Sequence, residues 1–283
     1  MPASTPIFTR PSVFTRPRVY TRPRVYSKPL RYGAPTDVDV LALQAKGVLL
    51  GETALPNSII YPLTECVVKM KQYGVWANFQ AIYFLVGGTQ VWHSLNAKNP
   101  ELYRMVQNGT ITNNANGTQG NGINGYWETG YDFGLQEFGG FYSMYSRTDS
   151  QQTEPDFAFD GSVEGLYIRD TIDNIRGVWN GSNVFASTSD SRGFFTLGVD
   201  NDNASMDLAK NGVIIGNDFA STPQSLTGST LAWMANVVPA GSPDTFSSRQ
   251  YSFLAVGNVW NPTQEALVYE CVQTLQSALG RQV

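Results

Sequence analysis

Apolar residues in the middle of the chain come in short runs separated by glycine-containing turns. Such runs are typical of β-strands, and they fall at residues 81–88, 125–131, 140–146, 193–199, 212–216, 230–237 and 251–257. Asn-Gly pairs, which favour tight hairpins, stand between several of them, at Asn108, Asn116, Asn121, Asn124, Asn180 and Asn211. Many short strands with close-set turns predict a mainly β protein, a two-sheet antiparallel jelly-roll sandwich.

A first helix is predicted just before these strands. Pro62 suits the first helical position, and Gly74 suits the position just after the last turn. The apolar residues between them recur at helical spacing, at Leu63, Cys66, Val67, Met70 and Tyr73. We expect this helix to lie at the periphery of the sandwich.

A second helix is predicted at the end of the chain. Asn261 is a good N-cap, Pro262 follows it, and Gln264 completes a capping-box pattern. Gly280 favours an end of the helix at that point. The apolar stripe consists of Val268, Cys271, Val272, Leu275 and Leu279. We expect this helix also to pack on the sandwich.

The first 33 residues contain a hexapeptide repeat, with units at 7–12, 13–18, 19–24 and 25–30. Each unit has an aliphatic residue, an aromatic residue, a hydroxyl residue, a cation, proline and a variable residue. A proline in every unit excludes a helix and favours extended backbone. The sequence therefore divides into an extended arm (1–33), a transition segment (34–61) and the jelly-roll body (62–283).

The arm is basic, whereas the body is acidic. Residues 1–36 hold seven of the 19 basic residues and none of the 23 acidic ones, which leaves 12 basic against 23 acidic residues in the remainder. We predict that the arm binds a partner protein through repeated aromatic and cationic anchors, Phe8, Arg10, Phe14, Arg16, Tyr20, Arg22, Tyr26 and Lys28. A mobile solubilising tail is the alternative. Nucleic acid is a poor partner for the acidic body.

Composition narrows the remaining classes. Charged residues make up 15% of the chain and aromatic residues 12%. Two cysteines, Cys66 and Cys271, and one histidine, His93, are too few for a zinc site. We expect two buried free thiols and a packed histidine. The longest apolar run is far shorter than the ~18 residues of a membrane span, so no membrane partner is expected.

The order of features resembles a known domain family. The carrying segments are GNGINGYWETGY at 120–131, YSFLAVG at 251–257 and NPTQEALVYECVQTLQSALGR at 261–281, together with the 63–73 helix, Trp76 and Asn99-Pro100. These segments resemble the concanavalin-A-like (laminin-G/jelly-roll) domain of tailed-phage virion proteins. The resemblance implies a tail-fibre, neck or capsid-decorating protein, made in the cytoplasm of a bacterial host and carried on the virion.

Glycoside hydrolysis is the enzymatic alternative, because laminarinase-type glucanases share this fold class. Those enzymes alternate carboxylates on one strand. Here Glu154 and Asp156 match the spacing, but Phe159 stands where the third carboxylate belongs and Pro155 interrupts the strand. We therefore predict no enzymatic activity and no cofactor.

Two weaker sites are considered. Asp200 and Asp202 alternate with asparagines, which suits Ca²⁺ but equally suits a turn. Exposed aromatic rings stack on sugars, and Trp127, Tyr131 and Trp179 are the candidates for such a site.

The leading hypothesis is a non-enzymatic phage virion protein, anchored by its arm to capsid, neck or tail proteins and forming a homo-oligomer. The alternatives are a host-glycan-binding receptor-recognition module and, less favoured, a polysaccharide depolymerase.

Overall fold

The computed structural model describes residues 36–132, 139–159, 165–179, 182–200, 205–218, 230–237, 243–259 and 261–283. Most of these residues lie in short strands, which are β1 (Phe79–Tyr83), β2 (Val106–Asn108), β3 (Ile111–Asn114), β4 (Gly117–Gly120), β5 (Tyr126–Asp132), β6 (Gly139–Ser146), β7 (Phe157–Phe159), β8 (Gly165–Tyr167), β9 (Asn174–Trp179), β10 (Ser182–Ser187), β11 (Gly193–Asp200), β12 (Ser205–Lys210), β13 (Val213–Asp218), β14 (Thr230–Trp233), β15 (Ala235–Val237), β16 (Pro243–Phe246) and β17 (Gln250–Gly257). The α-helices are α1 (Val38–Leu49), α2 (Asn57–Gln72), α3 (Gln90–Ser94) and α4 (Pro262–Ala278).

The strands form two large antiparallel sheets. One has the order β13-β12-β11-β6-β17-β4-β3, with β1 also paired to β17, and the other has the order β10-β9-β8-β7-β14-β5-β2. A separate pair joins β15 to β16. The prediction of a mainly β, two-sheet antiparallel sandwich is confirmed.

Two apolar cores result from the alternation of side chains along the strands. On β6, Tyr142 and Met144 face the other sheet, where they meet Trp127, Phe157 and Trp233. The intervening β6 residues, Phe141 and Tyr145, belong to a second core between the eight-stranded sheet and the helices. The molecule is therefore layered sheet, sheet, helices, and the eight-stranded sheet is buried on both faces over much of its area.

The C-terminal helix forms as predicted. Asn261 caps it: its side chain accepts from the Gln264 backbone N–H, and the Gln264 side chain accepts from the Asn261 N–H in return. The residues Val268, Cys271, Val272 and Leu275 are buried against the sheet.

The region before β1 is more helical than predicted. Helix α2 begins at Asn57, so Pro62 lies inside the helix and not at its start. Only one backbone donor is lost at Pro62, while buried Ile60, Leu63 and Val67 hold both sides of it in the core. Helix α1 occupies part of the segment that the sequence analysis assigns to the transition. Its N-cap is Asp37, whose side chain accepts from the Asp39 N–H.

The strand predicted over 230–237 is broken into β14 and β15. Met234, between them, has a φ of 72°, and its N–H donates to the Asp156 carbonyl. None of the helices in the described ranges has the length and apolar character needed to cross a bilayer.

Candidate functional site

A surface cavity of about 250 Å³ lies on the helix side of the eight-stranded sheet, where the start of α4 meets β11, β12 and β13. We call it the β11–β13 cavity. Its lining combines carboxylates, hydroxyls and small apolar groups, contributed by Thr196, Gly198, Val199, Asp200, Ser205, Asp207, Ala209, Ile214, Val259, Asn261, Pro262 and Glu265.

Strand register brings the polar groups together. Asp200 pairs with Ser205 across β11 and β12, and Gly198 pairs with Asp207. Asp200 and Asp207 are therefore diagonal neighbours on the same face, with Cβ atoms about 7–8 Å apart or somewhat less. The next pair along, Thr196 and Ala209, continues the floor of the cavity towards α4.

Gly198 leaves the middle of the floor open. A Cβ placed there would meet only the Asp207 carbonyl at 3.8 Å and the Asp207 Cβ at 3.9 Å, which is ordinary van der Waals contact. A side chain at this position would therefore occupy part of the cavity, and the backbone itself does not forbid one.

The wall opposite the strands is the first turn of α4. Asn261, Pro262 and Glu265 all line the cavity. Glu265 is 2% exposed, so its carboxylate lies at the base of this wall and not at the rim.

The cavity is acidic. Asp200, Asp207 and Glu265 line it, and no lysine, arginine or histidine is among the described residues that do so. Burial raises the pKa of Asp207, and the nearby Asp200 carboxylate raises it further. Lys210, at the end of β12, lies elsewhere: its Nζ sits over the Phe195 ring and donates to Thr188 Oγ1 and the Asp190 carbonyl.

Asp156, one of the two carboxylates that match the glucanase spacing, does not line this cavity. Asp156 is fully buried and receives both of its short ionic contacts from Arg249 Nη1, at 2.7 Å to each oxygen. It also accepts from Tyr251 Oη and, at 2.7 Å, from the Ile168 N–H. This network joins the two sheets and has no open side for a substrate.

A second cavity, of about 300 Å³, lies beside the C-terminal end of α4 and includes Arg281 in its lining. The Arg281 guanidinium is 2% exposed, and burial lowers its pKa to about 9. Its N–H groups are used internally, donating to the Gln276 side chain and to the carbonyls of Phe84, Leu85, Ala115 and Ser252. Arg281 therefore fastens the end of the chain to the sheet.

The aromatic rings predicted as sugar platforms belong to the core, which corrects their expected exposure. Trp127, Tyr131 and Trp179 are 0%, 2% and 0% exposed. Trp127 donates through Nε1 to Thr118 Oγ1 at 2.9 Å, and Tyr131 meets Tyr103 edge-on at 5.0 Å. Strand alternation turns all three rings towards the opposite sheet, so a sugar has no access to them.

The remaining predicted site residues are the two Ca²⁺ candidates and the anchors of the arm. Asp200 lines the β11–β13 cavity, whereas Asp202 and the arm residues Phe8, Arg10, Phe14, Arg16, Tyr20, Arg22, Tyr26 and Lys28 lie outside the described residues. Within the described ranges, no group of three His, Cys, Asp or Glu side chains is arranged to hold a metal ion.

The predictions of a packed histidine and two buried thiols are confirmed. His93 is fully buried, and its Nδ1 lies 2.8 Å from Asn113 Oδ1. Cys66 and Cys271 are free and buried on the facing helices α2 and α4. Burial raises the pKa of Cys271 to about 12 and that of Cys66 well above its ordinary value.

Four of the residues that line the cavity were not predicted from the sequence, namely Thr196, Ser205, Asp207 and Glu265. The alternation of small or polar residues with apolar ones along 195–200 and 205–210 indicates that one face of these two segments lacks large side chains. The pairing of the two strands and the position of α4 were needed to turn that face into a cavity.

No protein-family model matches the sequence, and no curated protein matches it. Solved structures do match the fold. A mutant of Trypanosoma rangeli sialidase that displays trans-sialidase activity aligns with 78% of this chain and 39% of its own length, with 12% identity and a TM-score of 0.50. The chain thus spans well under half of that sialidase.

Two smaller carbohydrate-binding structures also align. The sialidase CBM40 of Ruminococcus gnavus, bound to α2,3 sialyllactose, has 16% identity over 49% of this chain and 91% of its own, with a TM-score of 0.37. Domain 4 of the arabinanase AbnA from Geobacillus stearothermophilus, in complex with arabinotriose, has 16% identity over 68% of this chain and 98% of its own, with a TM-score of 0.41.

The match to the sialidase mutant shows that this fold also occurs within a sialidase. It contradicts the prediction that the chain is not an enzyme. That prediction rested on the missing glucanase carboxylates, whereas the same fold occurs in a different glycan-active enzyme.

Proposed function

We propose that the chain is a glycan-recognition module of a bacteriophage virion, with the β11–β13 cavity as its sugar site. The observation that carries the proposal is the composition of that cavity. A sugar presents hydroxyl groups on its edge and C–H groups on its faces. The Asp200 and Asp207 carboxylates and the Ser205 hydroxyl suit the hydroxyls. The apolar wall, made by Ala209, Ile214, Val259 and Pro262, suits a C–H face.

The size of the cavity supports a short ligand. At about 250 Å³ it is just below the ~300–1,000 Å³ typical of pockets for drug-sized molecules. One sugar ring, at the end of a chain or as a branch, fits this volume better than a long internal stretch of polysaccharide. Charge-assisted hydrogen bonds from hydroxyls to the carboxylates would supply orientation and specificity.

The test is glycan binding by the full chain, on an array and then by calorimetry, with Ca²⁺ present. Gly198→Val fills the floor of the cavity with a side chain that suits a strand, and Asp207→Asn removes one carboxylate without changing its shape. Asp244→Asn is the matched control, since Asp244 is exposed on β16 and does not line the cavity. We expect the first two variants to lose binding and the control to keep it. Binding that survives Gly198→Val in a folded variant, or no binding by the full chain, would contradict the proposal.

The hexapeptide repeat supports attachment to a larger particle. Four tandem units place an aromatic residue and a cation at every sixth position, which suits repeated weak contacts along one partner. We expect a chain without residues 1–33 to fold, to bind the same glycan and to be missing from assembled particles, as measured by immunogold labelling. Normal incorporation of that truncated chain would contradict the anchoring role.

Cleavage of the bound glycan is a second candidate. Asp207, whose pKa is raised by burial and by Asp200, is a candidate general acid, with Asp200 as its partner carboxylate. Glycosidases use such a pair of carboxylates on either side of the scissile bond, and the strand register places Asp200 and Asp207 as diagonal neighbours on the face that lines the cavity. New reducing ends from a bound polysaccharide, lost in Asp207→Asn and kept in Asp244→Asn, would support cleavage. Tight binding without any new reducing ends would contradict it.

A further inference from the structure

The charge of the β11–β13 cavity restricts the class of sugar that it accepts. Three carboxylate side chains line the cavity, from Asp200, Asp207 and Glu265. Its remaining lining is hydroxyl, amide, backbone and aliphatic, and no basic side chain among the described residues contributes to it. An acidic sugar needs a cationic or N–H-rich partner for its carboxylate, and the side chains here offer the opposite charge.

Lysine and arginine residues near the cavity are committed elsewhere. Lys210, the basic residue on β12, donates to Thr188 and Asp190 and covers the Phe195 ring on the inward side of the sheet. Arg192, before β11, holds Asp190 through Nε at 3.0 Å. Neither side chain lines the cavity. A ligand carboxylate placed there would meet Asp200 and Asp207 without an opposing cation from these elements.

The two aspartates already interact unfavourably with each other. Burial raises the pKa of Asp207, and the Asp200 carboxylate on the same face of the paired strands raises it further. A cation between them relieves the repulsion, whereas another anion increases it. At separations of about 4–6 Å near a protein surface, one such charge contact changes affinity by tenfold or more.

We infer that the cavity selects amino sugars over neutral sugars and neutral sugars over acidic sugars. The inference rests on the proposed sugar-binding function. Sugars that carry a carboxylate, such as uronic acids, are the ligands that it disfavours. The specificity-determining residues are Asp200 and Asp207, which line the accessible strand side of the cavity.

The experiment compares sugars that share a ring and differ in charge. Three series are titrated into the full chain and followed by ligand-observed NMR: glucosamine, glucose and glucuronic acid; the three galactose counterparts; and the three mannose counterparts. We expect, in at least one series, the amine to bind about tenfold or more tightly than the uronic acid at low salt, with the neutral sugar between them. High salt is expected to reduce the amine-to-uronate affinity ratio only in part, because charges in a partly buried cavity are screened less than exposed ones.

The variants separate selection by the cavity from attraction by the acidic protein as a whole. Asp207→Asn is expected to reduce the amine-to-uronate ratio several-fold, and Asp244→Asn, which removes the same charge at an exposed site outside the cavity, to leave it unchanged. Equal or tighter binding of the uronic acid, or a ratio that Asp207→Asn does not change, would overturn the inference and leave the sugar-binding function standing. No binding by any of the nine sugars would overturn both.

Discussion

Replacing Asp156 by asparagine tests whether the buried ion pair with Arg249 holds the two sheets together. Both side chains are 0% exposed. Arg249 Nη1 donates to both Asp156 oxygens at 2.7 Å, and Nη2 donates to the carbonyls of Ser150 and Arg169 at 2.7 and 3.0 Å. Asp156 lies just before β7 of one sheet, and Arg249 lies just before β17 of the other. In the Asp156→Asn variant the new amide would present an NH₂ group to a guanidinium donor and leave a buried cation without its counter-charge.

The cost follows from that geometry. Removing one partner of a fully buried ion pair typically costs about 3–5 kcal/mol. In a chain of this size each kcal/mol lowers the melting temperature by about 2–4 °C, so the expected fall is roughly 6–20 °C. Chemical denaturation at pH 7 measures the loss, followed by the fluorescence of the buried tryptophans of the sandwich core.

Two further variants test whether the loss of stability comes from the buried ion pair. Arg192→Met removes an exposed ion pair with Asp190, whose side chains are 46% and 38% exposed, and is expected to cost under about 1 kcal/mol. The double replacement Asp156→Leu with Arg249→Met removes both charges and is expected to recover much of the stability. A cost below about 1 kcal/mol for Asp156→Asn, or a double variant as unstable as the single one, would refute the reasoning.

Three further predictions concern other buried groups. Burial lowers the pKa of His93 to about 4, so between that value and about 6.5 the unfolded chain binds a proton that the folded chain does not; stability should fall by about 2 kcal/mol from pH 7 to pH 5, as measured by denaturant titration, and His93→Gln should flatten that slope. Cys66 and Cys271, buried and with raised pKa values, should react with a thiol reagent at about pH 8 only after denaturant is added; rapid labelling of the native protein would contradict this. Gly117 has a φ of 121°, and a Cβ there would lie 1.9 Å from the Tyr251 carbonyl, so Gly117→Ala should lower the melting temperature by several degrees, whereas Gly198→Ala should leave it almost unchanged.

The sequence predicted correctly those elements that are determined by interactions between residues close together in the chain. The Asn261 and Gln264 capping box starts α4 where expected, because both hydrogen bonds join residues three apart. Helix α1 was missed for an equally physical reason. Val40 and Leu43 are buried, but Val38 and Leu41 on the other side of the same helix are 71% and 49% exposed. Apolar residues on both faces remove the one-sided pattern by which an amphipathic helix is recognised.

The aromatic residues show a different limit. Trp127 and Tyr131 alternate with Glu128 and Asp132 along β5, and that alternation already places the two rings on the face opposite the acidic residues. The sequence therefore contained the correct orientation, and residue type alone led to the expectation of an exposed platform. Trp179 had no such flanking pattern, and only the pairing of β9 with β8 and β10 places it in the core.

The β11–β13 cavity depends on a change of residue type where the cover of α4 ends. At the start of β11 the outward face carries Phe194, which packs against Tyr269 of α4 at a centroid distance of 6.1 Å. Further along the same face come Thr196, Gly198 and Asp200, which are small or polar, while the inward face keeps Phe195, Leu197 and Val199 throughout. The inward face of β11 therefore contributes side chains to the core between the two sheets along the whole strand. Its outward face contributes a large side chain to the core under the helices only at Phe194. Gly198, Asp200 and Asp207 lie on this uncovered part of the face, beside the buried Glu265 of α4. The cavity that they line is closed on one side by a helix that begins only at Pro262, far along the chain, which is why the strand sequence alone did not reveal it.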